Sequence, residues 1–212
     1  MPKRKSLPRL FYHFSAAVLF VFFKTFFRVS ISGRENIPET GAALLVANHA
    51  SYFDPPLLAV ASRRHISFMA KAGLFKVPIL GTLLRLYESF PVNREKRDLA
   101  AFRTAIRRLN EGGLVAVFPE GTRRRMGPKK LGPIEPGAAY LILKSQVPMV
   151  PIGISGTDEV IQEGKRFPRF PKIVVTIGKP VFPDGKGAER KDLSKLSGEI
   201  ERSIVSLLKY ER

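Results

Sequence analysis

Short apolar runs that alternate with amphipathic stretches are the feature of this sequence that most restricts its fold. Beyond Ile31 there are five such runs, rich in β-branched residues, and each has the length of a buried strand. Strands that alternate with helical patterns predict an α/β domain, here with a mixed sheet flanked by helices. The expected strands are Ala42 to Ala47, Ile66 to Ala70, Leu114 to Phe118, Met149 to Ile154 and Ile173 to Ile177.

Four helices are expected between and after these strands. Proline suits the first turn of a helix, so the first of them should start at the Pro55-Pro56 pair. Apolar residues at helical spacing define the second and the fourth, and a Gly-Gly pair ends the second. The other three run from Leu99 to Leu109, from Gly137 to Ser145 and from about Asp192 to Lys209.

The charge of the chain indicates what it binds. Thirty-six Lys and Arg oppose 18 Asp and Glu, and the formal net charge of +18 predicts attraction to anionic membranes or acidic carrier proteins. Nucleic acid is not expected as a partner, because the aromatic residues crowd into the first 27 residues instead of interleaving with basic ones. Cysteine is absent and the three histidines are widely spread, so we expect no metal site.

Residues 1–30 are expected to form a membrane-associating helix, and residues 31–212 the globular domain. The first acidic residue of the chain is Glu35, and Lys24 interrupts the apolar run from Leu10 to Phe27. The uninterrupted part is shorter than the roughly 20 residues of a spanning helix, which favours a helix that lies in one leaflet. Its basic flanks favour the cytoplasmic face of the membrane.

Two alternatives remain for this apolar segment. A basic start before an apolar stretch also fits a cleaved signal peptide, although Phe26 and Phe27 stand where small residues would mark the cleavage site. The other alternative is a helix buried in the core of the domain.

His49 and Asp54 form the candidate proton-transfer pair. They follow a predicted strand and precede a proline-started helix, which places them at a carboxyl strand end, where open α/β sheets bind ligands. An imidazole takes a proton from an alcohol when its tautomer is fixed, and a carboxylate bonded to its other nitrogen fixes it. The alternative is that Asp54 caps the helix and His49 is an ordinary loop residue.

A second polar segment, Phe118 to Arg125, follows another predicted strand. Gly121 permits a turn that brings backbone amides near an anion, and arginine side chains bind phosphate oxygens in bidentate fashion. Arg94 is a further candidate cation. Ordinary explanations also exist: Glu120-Gly121 as a simple turn, and the basic residues after Arg123 as either a solvated loop or a docking surface for a membrane or carrier.

Together these residues resemble the glycerolipid acyltransferase family typified by bacterial 1-acyl-glycerol-3-phosphate acyltransferases. His49 and Asp54 match its His-x4-Asp motif, and the segment from Phe118 to Arg123 matches its Phe-Pro-Glu-Gly-Thr-Arg motif. Arg94 corresponds to the second motif and Pro151 to the fourth. Lys71 lies in a segment like the one between the first two motifs of the family. The second motif departs from the family pattern at Glu88, Pro91 and Asn93.

The resemblance implies a glycerol-phosphate-acyltransferase-like fold and an acyl-transfer reaction without a cofactor or metal. Acyl-CoA or acyl carrier protein would serve as co-substrate, and the acceptor would be the free sn-2 hydroxyl of lysophosphatidic acid. In that reaction His49 deprotonates the hydroxyl and Asp54 steadies the imidazolium. The acceptor-binding residues that the resemblance implies are Lys71, Arg94, Glu120, Gly121, Thr122 and Arg123.

Other functions stay open from the sequence. Within the same class, the acceptor is alternatively glycerol-3-phosphate or another lysolipid. From a different class, the chain is a membrane lipid-binding protein without catalytic activity.

Overall fold

A computed structural model describes residues 6–93, 98–123, 131–161, 168–184 and 190–209 of the chain. Within these ranges, helices flank a seven-stranded sheet. The helices are α1 (Ser6–Phe27), α2 (Asp54–Ala61), α3 (Pro78–Leu86), α4 (Leu99–Asn110), α5 (Gly137–Ser145) and α6 (Arg190–Leu207). The strands are β1 (Ser30–Ser32), β2 (Ala43–Ala47), β3 (Ile66–Lys71), β4 (Phe90–Val92), β5 (Leu114–Val117), β6 (Met149–Ser155) and β7 (Val174–Ile177).

The sheet has the strand order β1-β7-β6-β2-β5-β3-β4. The pair β6–β7 is antiparallel and every other pair is parallel, so the predicted mixed sheet is confirmed. Strand β2 lies at the centre, and all of its residues are buried. A continuous apolar run of this kind is typical of a parallel strand that is covered on both faces.

Two apolar cores lie on the two faces of the sheet, because successive side chains of a strand point in opposite directions. Leu45 of β2 joins a core formed with α1 and α2, whereas its neighbours Leu44 and Val46 join a core formed with α4, α5 and α6. The predicted α/β fold with flanking helices is therefore confirmed. This packing holds the carboxyl ends of β2, β5 and β3 side by side.

The expected helices and strands are all present, with ends that differ by one to a few residues. The last helix, for example, starts at Arg190 and ends at Leu207 instead of extending to Lys209. The sequence analysis missed β1, α3 and β4. The two strands have three residues each, and α3 follows a 3-10 turn directly, so none of them carries a long periodic pattern.

Helix α1 is 22 residues long, about 33 Å at 1.5 Å per residue. By length and composition its segment Leu10–Phe27 is apolar enough to cross a membrane, and only 17% of that segment is buried, unlike a core helix. The side chains that it buries against the domain are Tyr12, Phe23 and Phe27. Its exposed apolar side chains are Leu10, Phe11, Phe14, Val18, Phe20, Val21, Phe22 and Phe26. The division of the chain at residue 30 stays a prediction.

Candidate active site

The candidate site lies at the carboxyl edge of three neighbouring strands. His49 follows β2, the segment Phe118–Arg123 follows β5, and Lys71 is the last residue of β3. Strand β5 pairs with β2 on one side and with β3 on the other. Since paired strands are about 4.8 Å apart, the backbones of the three strand ends lie within about 10 Å of one another.

The His49 ring is bonded to the Asp54 carboxylate. Nδ1 of His49 lies 2.9 Å from Oδ2 of Asp54, and both side chains are buried. A carboxylate oxygen only accepts, so Nδ1 carries the hydrogen and the lone pair of the neutral ring is on Nε2. The pair predicted from the sequence is thus assembled with a defined tautomer.

The local backbone explains why five residues suffice to bring the carboxylate back to the ring. Oδ2 of Asp54 also accepts hydrogen bonds from the backbone N–H groups of Ala50 (2.7 Å) and Ser51 (2.8 Å). These donors precede Asp54, so its side chain does not cap the following helix, and the capping interpretation does not apply. Asp54 is the first residue of α2, where the helix dipole favours a negative charge.

Phe118 fixes one face of the imidazole. The rings of His49 and Phe118 are stacked with centroids 4.1 Å apart and planes 21° apart. Phe118 is the first residue after β5, so the neighbouring strand end supplies this contact. The ring of His49 is therefore restrained both by a hydrogen bond in its plane and by a flat apolar contact.

Asn48 anchors the loop that carries His49. Its Nδ2 donates to the Ile154 carbonyl (2.8 Å), and its Oδ1 accepts from the Ile154 N–H (2.8 Å). Because Ile154 belongs to β6, this buried amide ties the end of β2 to the strand on its other side. The sequence analysis gave Asn48 no role, although an asparagine directly after a fully apolar strand was a signal for one.

Glu120 joins the two loops of the site. Its Oε1 accepts from the backbone N–H of His49 (2.8 Å), and its Oε2 accepts from the N–H of Gly132 (2.9 Å). Burial raises the pKa of this carboxyl above its ordinary value, against the lowering effect of the two backbone hydrogen bonds. Since both oxygens already have backbone donors, the geometry favours a role in ordering the loops over the binding of glycerol hydroxyls.

Gly121 forms the turn after β5. It has a φ of +65°, a conformation that glycine adopts without strain, and its N–H donates to the carbonyl of Phe118 (3.1 Å). The amide of Gly121 itself is therefore engaged within the turn. Thr122, the next residue, is exposed to solvent.

Arg123 is held at the surface of the site by Tyr52. The guanidinium carbon lies 3.4 Å from the centroid of the Tyr52 ring, and an Nη donates to the Tyr52 hydroxyl at 2.6 Å. Both residues are exposed. Tyr52 belongs to the four residues between His49 and Asp54, so the cation from the second motif is placed beside the first. The sequence analysis did not assign this function to Tyr52.

The remaining predicted site residues are Lys71, Arg94 and the basic residues that follow Arg123. Lys71 is exposed at the end of β3, two strands away from His49. Arg94 lies outside the described residues, as do the basic residues that follow Arg123, and their roles stay predictions. In the described ranges, no group of three or more histidine and acidic side chains is placed to hold a metal ion.

These features define a class of protein: an α/β domain with a buried His–Asp pair and an exposed arginine at the carboxyl edge of its sheet. The sequence profile described as Acyltransferase matches residues 28–155, which is more than half of the chain. The chain therefore belongs to the acyltransferase family.

Two relatives of the chain carry the same description. It is 29% identical over 179 residues to a chloroplastic 1-acyl-sn-glycerol-3-phosphate acyltransferase of Brassica napus, covering 82% of this chain and 51% of that protein. It is 29% identical over 171 residues to the 1-acyl-sn-glycerol-3-phosphate acyltransferase of Bacillus subtilis, covering 80% and 82%. The chain thus spans about half the length of the plant relative and most of the bacterial one.

A solved structure shares the fold. The crystal structure of the 1-acyl-sn-glycerophosphate (LPA) acyltransferase PlsC from Thermotoga maritima superposes with a TM-score of 0.79 at 28% sequence identity. The match covers 100% of this chain and 86% of that chain. The resemblance drawn from the sequence motifs is confirmed at the level of family and fold.

Proposed function

We propose that this chain transfers a fatty acyl group from an acyl thioester to the sn-2 hydroxyl of 1-acyl-glycerol-3-phosphate, which yields phosphatidic acid. The observation that carries the proposal is the 2.9 Å hydrogen bond between His49 and Asp54 at the strand ends of an acyltransferase-family fold. Relatives named for this activity support the same acceptor.

The reaction needs one base and no covalent enzyme intermediate. Nε2 of His49 takes the proton of the acceptor hydroxyl while its oxygen attacks the thioester carbonyl carbon. The C–S bond of the resulting tetrahedral species breaks, and the thiolate leaves with the proton from the imidazolium. Asp54 stabilises that imidazolium through Nδ1, and the defined tautomer directs the lone pair of Nε2 away from the carboxylate.

The acceptor phosphate would be bound by the exposed cations at the strand ends. Arg123 presents a planar guanidinium that suits two phosphate oxygens, and Tyr52 limits the conformations it adopts. Lys71 lies on the far side of β5, and Arg94 is the further cation that the motif resemblance implies. Both acyl-CoA and acyl carrier protein are anionic, so the net charge of +18 favours either donor.

Membrane association would bring the lipid substrates to this site. Phe53 directly precedes Asp54, and its ring packs against those of Phe23 and Phe27 in α1, with centroids 5.9 Å and 5.6 Å away. An α1 that lies in one leaflet would therefore place the catalytic loop at the bilayer surface. The basic residues of the amino-terminal segment favour the cytoplasmic leaflet.

The test is phosphatidic acid formation by the purified chain from lysophosphatidic acid and an acyl thioester, beside its His49→Ala variant. Acyl-CoA and acyl carrier protein loaded with the same acyl group are supplied in separate reactions, and glycerol-3-phosphate and lysophosphatidylcholine serve as alternative acceptors. The proposal expects product from the parent with lysophosphatidic acid, and none above background from the variant. Equal turnover by the two proteins would contradict the role of His49, and product from another acceptor alone would reject the proposed substrate.

A further inference from the structure

Helix α3 exposes an apolar surface that no other described residue of the chain covers. We define the α3 face as Val77, Ile79, Leu80 and Leu83, all of which are exposed, with Ile79 at 79%. Ile79 and Leu83 are four residues apart and so lie on the same side of the helix. An Ile side chain that is this exposed gains nothing from folding, so the face needs a partner outside the domain to be buried.

Contacts on the opposite, inner side of α3 hold the helix in place. At Gly81 an added Cβ would meet the carbonyl oxygen of Phe75 at 2.3 Å, so the helix packs directly against the preceding 3-10 turn. Arg85 donates to the same carbonyl (3.1 Å). These contacts leave the α3 face outward.

The carboxyl end of α3 is attached to α1. Tyr87, which directly follows the helix, hydrogen-bonds through its hydroxyl to Ser15 of α1. Its ring also lies 5.0 Å from that of Tyr12 and 6.4 Å, edge-on, from that of Phe11. The apolar surface of α3 is therefore connected to the helix that carries the largest group of exposed aromatic side chains in the described part of the chain.

Basic residues accompany the α3 face. Lys71, Lys76 and Arg85 are exposed within or beside this segment, and no acidic residue occurs between His65 and Glu88. Exposed apolar side chains with lysine and arginine next to them are the pattern of a helix that lies at an anionic lipid surface. Positive charge also suits an acidic carrier protein, but the attachment of α3 to α1, the proposed membrane helix, favours the bilayer.

We propose that the α3 face is a second membrane-contact surface, which inserts into the headgroup and acyl boundary of an anionic bilayer beside α1. This inference rests on the membrane association proposed above. Because α3 follows the carboxyl end of β3, its insertion would fix the strand-end site at a constant height and orientation over the lipid. A domain tethered by α1 alone would be free to tilt.

A single tryptophan tests the proposal, because the chain contains no natural tryptophan. The variant Ile79→Trp is reconstituted as the full chain into vesicles of phosphatidylcholine and phosphatidylglycerol. The matched control is Leu99→Trp, at the exposed first residue of α4 on the other face of the sheet. The proposal expects a blue-shifted emission and quenching by brominated acyl chains at residue 79, and neither at residue 99.

The other outcomes overturn the proposal. If Ile79→Trp sediments with vesicles but its emission and quenching equal those of the control, α1 alone binds the membrane. If the emission shifts without vesicles and more so at higher protein concentration, a second copy of the chain covers the face. These readouts do not depend on turnover, so they stay separate from any failure of the proposed reaction.

Two further variants measure how much the α3 face contributes to membrane affinity. Ile79→Ser should lower the affinity for the anionic vesicles about tenfold, whereas Leu99→Ser should leave it unchanged. Lys76→Glu should weaken binding to anionic vesicles and not to vesicles of phosphatidylcholine alone. Unchanged binding of both Ile79→Ser and Lys76→Glu would contradict the inference.

Discussion

The strand-end site and the surface of α1 and α3 differ in which side chains they bury. In the site, polar side chains are buried: Asn48, His49, Asp54 and Glu120 are nearly inaccessible, and each accepts or donates hydrogen bonds, although Oδ1 of Asp54 has no partner in the described structure. On the helices, apolar groups are exposed, and their neighbours in the described structure leave them in water. Buried polar groups are tolerated when they are bonded, and large exposed apolar surfaces indicate a partner.

The difference explains which region can be changed without loss of the fold. The bonds of Asn48 and Glu120 connect different strand ends, so a substitution of either residue affects packing as well as chemistry. An exposed side chain of α1 supports no such connection. Substitutions can therefore separate catalysis, stability and membrane affinity, the three quantities on which the proposed function depends.

The largest effect is expected at Asp54. In Asp54→Asn the side chain keeps its size but loses its charge. If the amide nitrogen takes the place of Oδ2, it cannot accept from the N–H groups of Ala50 and Ser51. If the amide oxygen takes that place, the His49 ring has only a neutral partner. The turnover number should fall about 10³- to 10⁴-fold in a phosphatidic acid assay. Membrane affinity, measured by vesicle sedimentation, should not change. Turnover close to that of the parent would show that the carboxylate is dispensable.

The buried aromatic residues of α1 come next. Phe23 is buried against the domain, so Phe23→Ala should lower the free energy of unfolding by about 3–5 kcal/mol. The matched control is Phe14→Ala, because Phe14 is exposed. This variant should leave the free energy of unfolding nearly unchanged and reduce vesicle affinity roughly tenfold. Equal effects of both variants on stability would contradict the assignment of the two faces.

Asn48 tests the connection of the site to the sheet. Asn48→Ala leaves the N–H and the carbonyl of Ile154 without their side-chain partners, which should cost about 2–4 kcal/mol of unfolding free energy in urea denaturation. Asn48→Asp is the informative control, because it keeps the acceptor for the Ile154 N–H but turns a carboxylate oxygen toward the Ile154 carbonyl, so it should destabilise the chain at least as much as Asn48→Ala. A neutral effect of Asn48→Ala would mean that the loop keeps its position by the Asp54 turn alone.

Tyr52 is expected to affect the acceptor rather than the chemistry. Tyr52→Leu removes the ring and the hydroxyl that hold Arg123, so the KM for lysophosphatidic acid should rise about threefold to tenfold while the turnover number changes little. Tyr52→Phe keeps the stacked ring and should recover most of the loss. A fall in the turnover number without a change in KM would assign Tyr52 to the catalytic step instead.

Short-range patterns made five of the strands, four of the helices and the contact between His49 and Asp54 predictable. An uninterrupted apolar run such as Leu44 to Val46 predicts a buried strand, and the four residues between His49 and Asp54 limit the geometry of their turn. The role of Glu120 was not predictable, because its partners Gly132 and His49 are 12 and 71 residues away. The same applies to Asn48 and Ile154, which meet only once the sheet order is known.

The smallest effect is expected from the titration of Glu120. Burial raises the pKa of this carboxyl in the folded chain, so the folded chain holds the proton more tightly than the unfolded chain does. The stability that this residue contributes is then greatest below the unfolded pKa of about 4.3 and is lost as the pH rises through the raised folded pKa. Glu120→Gln has no such titration.

The stability advantage of the parent over Glu120→Gln should therefore shrink as the pH rises from the unfolded pKa of about 4.3 through the raised folded pKa, as measured by urea unfolding of both proteins. The subtraction removes the contributions of all other carboxylates, which the two proteins share. An advantage that grows with pH would mean that the bonds from His49 and Gly132 outweigh desolvation, and that the ionised carboxylate is the form the fold prefers. In either case the result measures how strongly the two loops of the site depend on one buried charge.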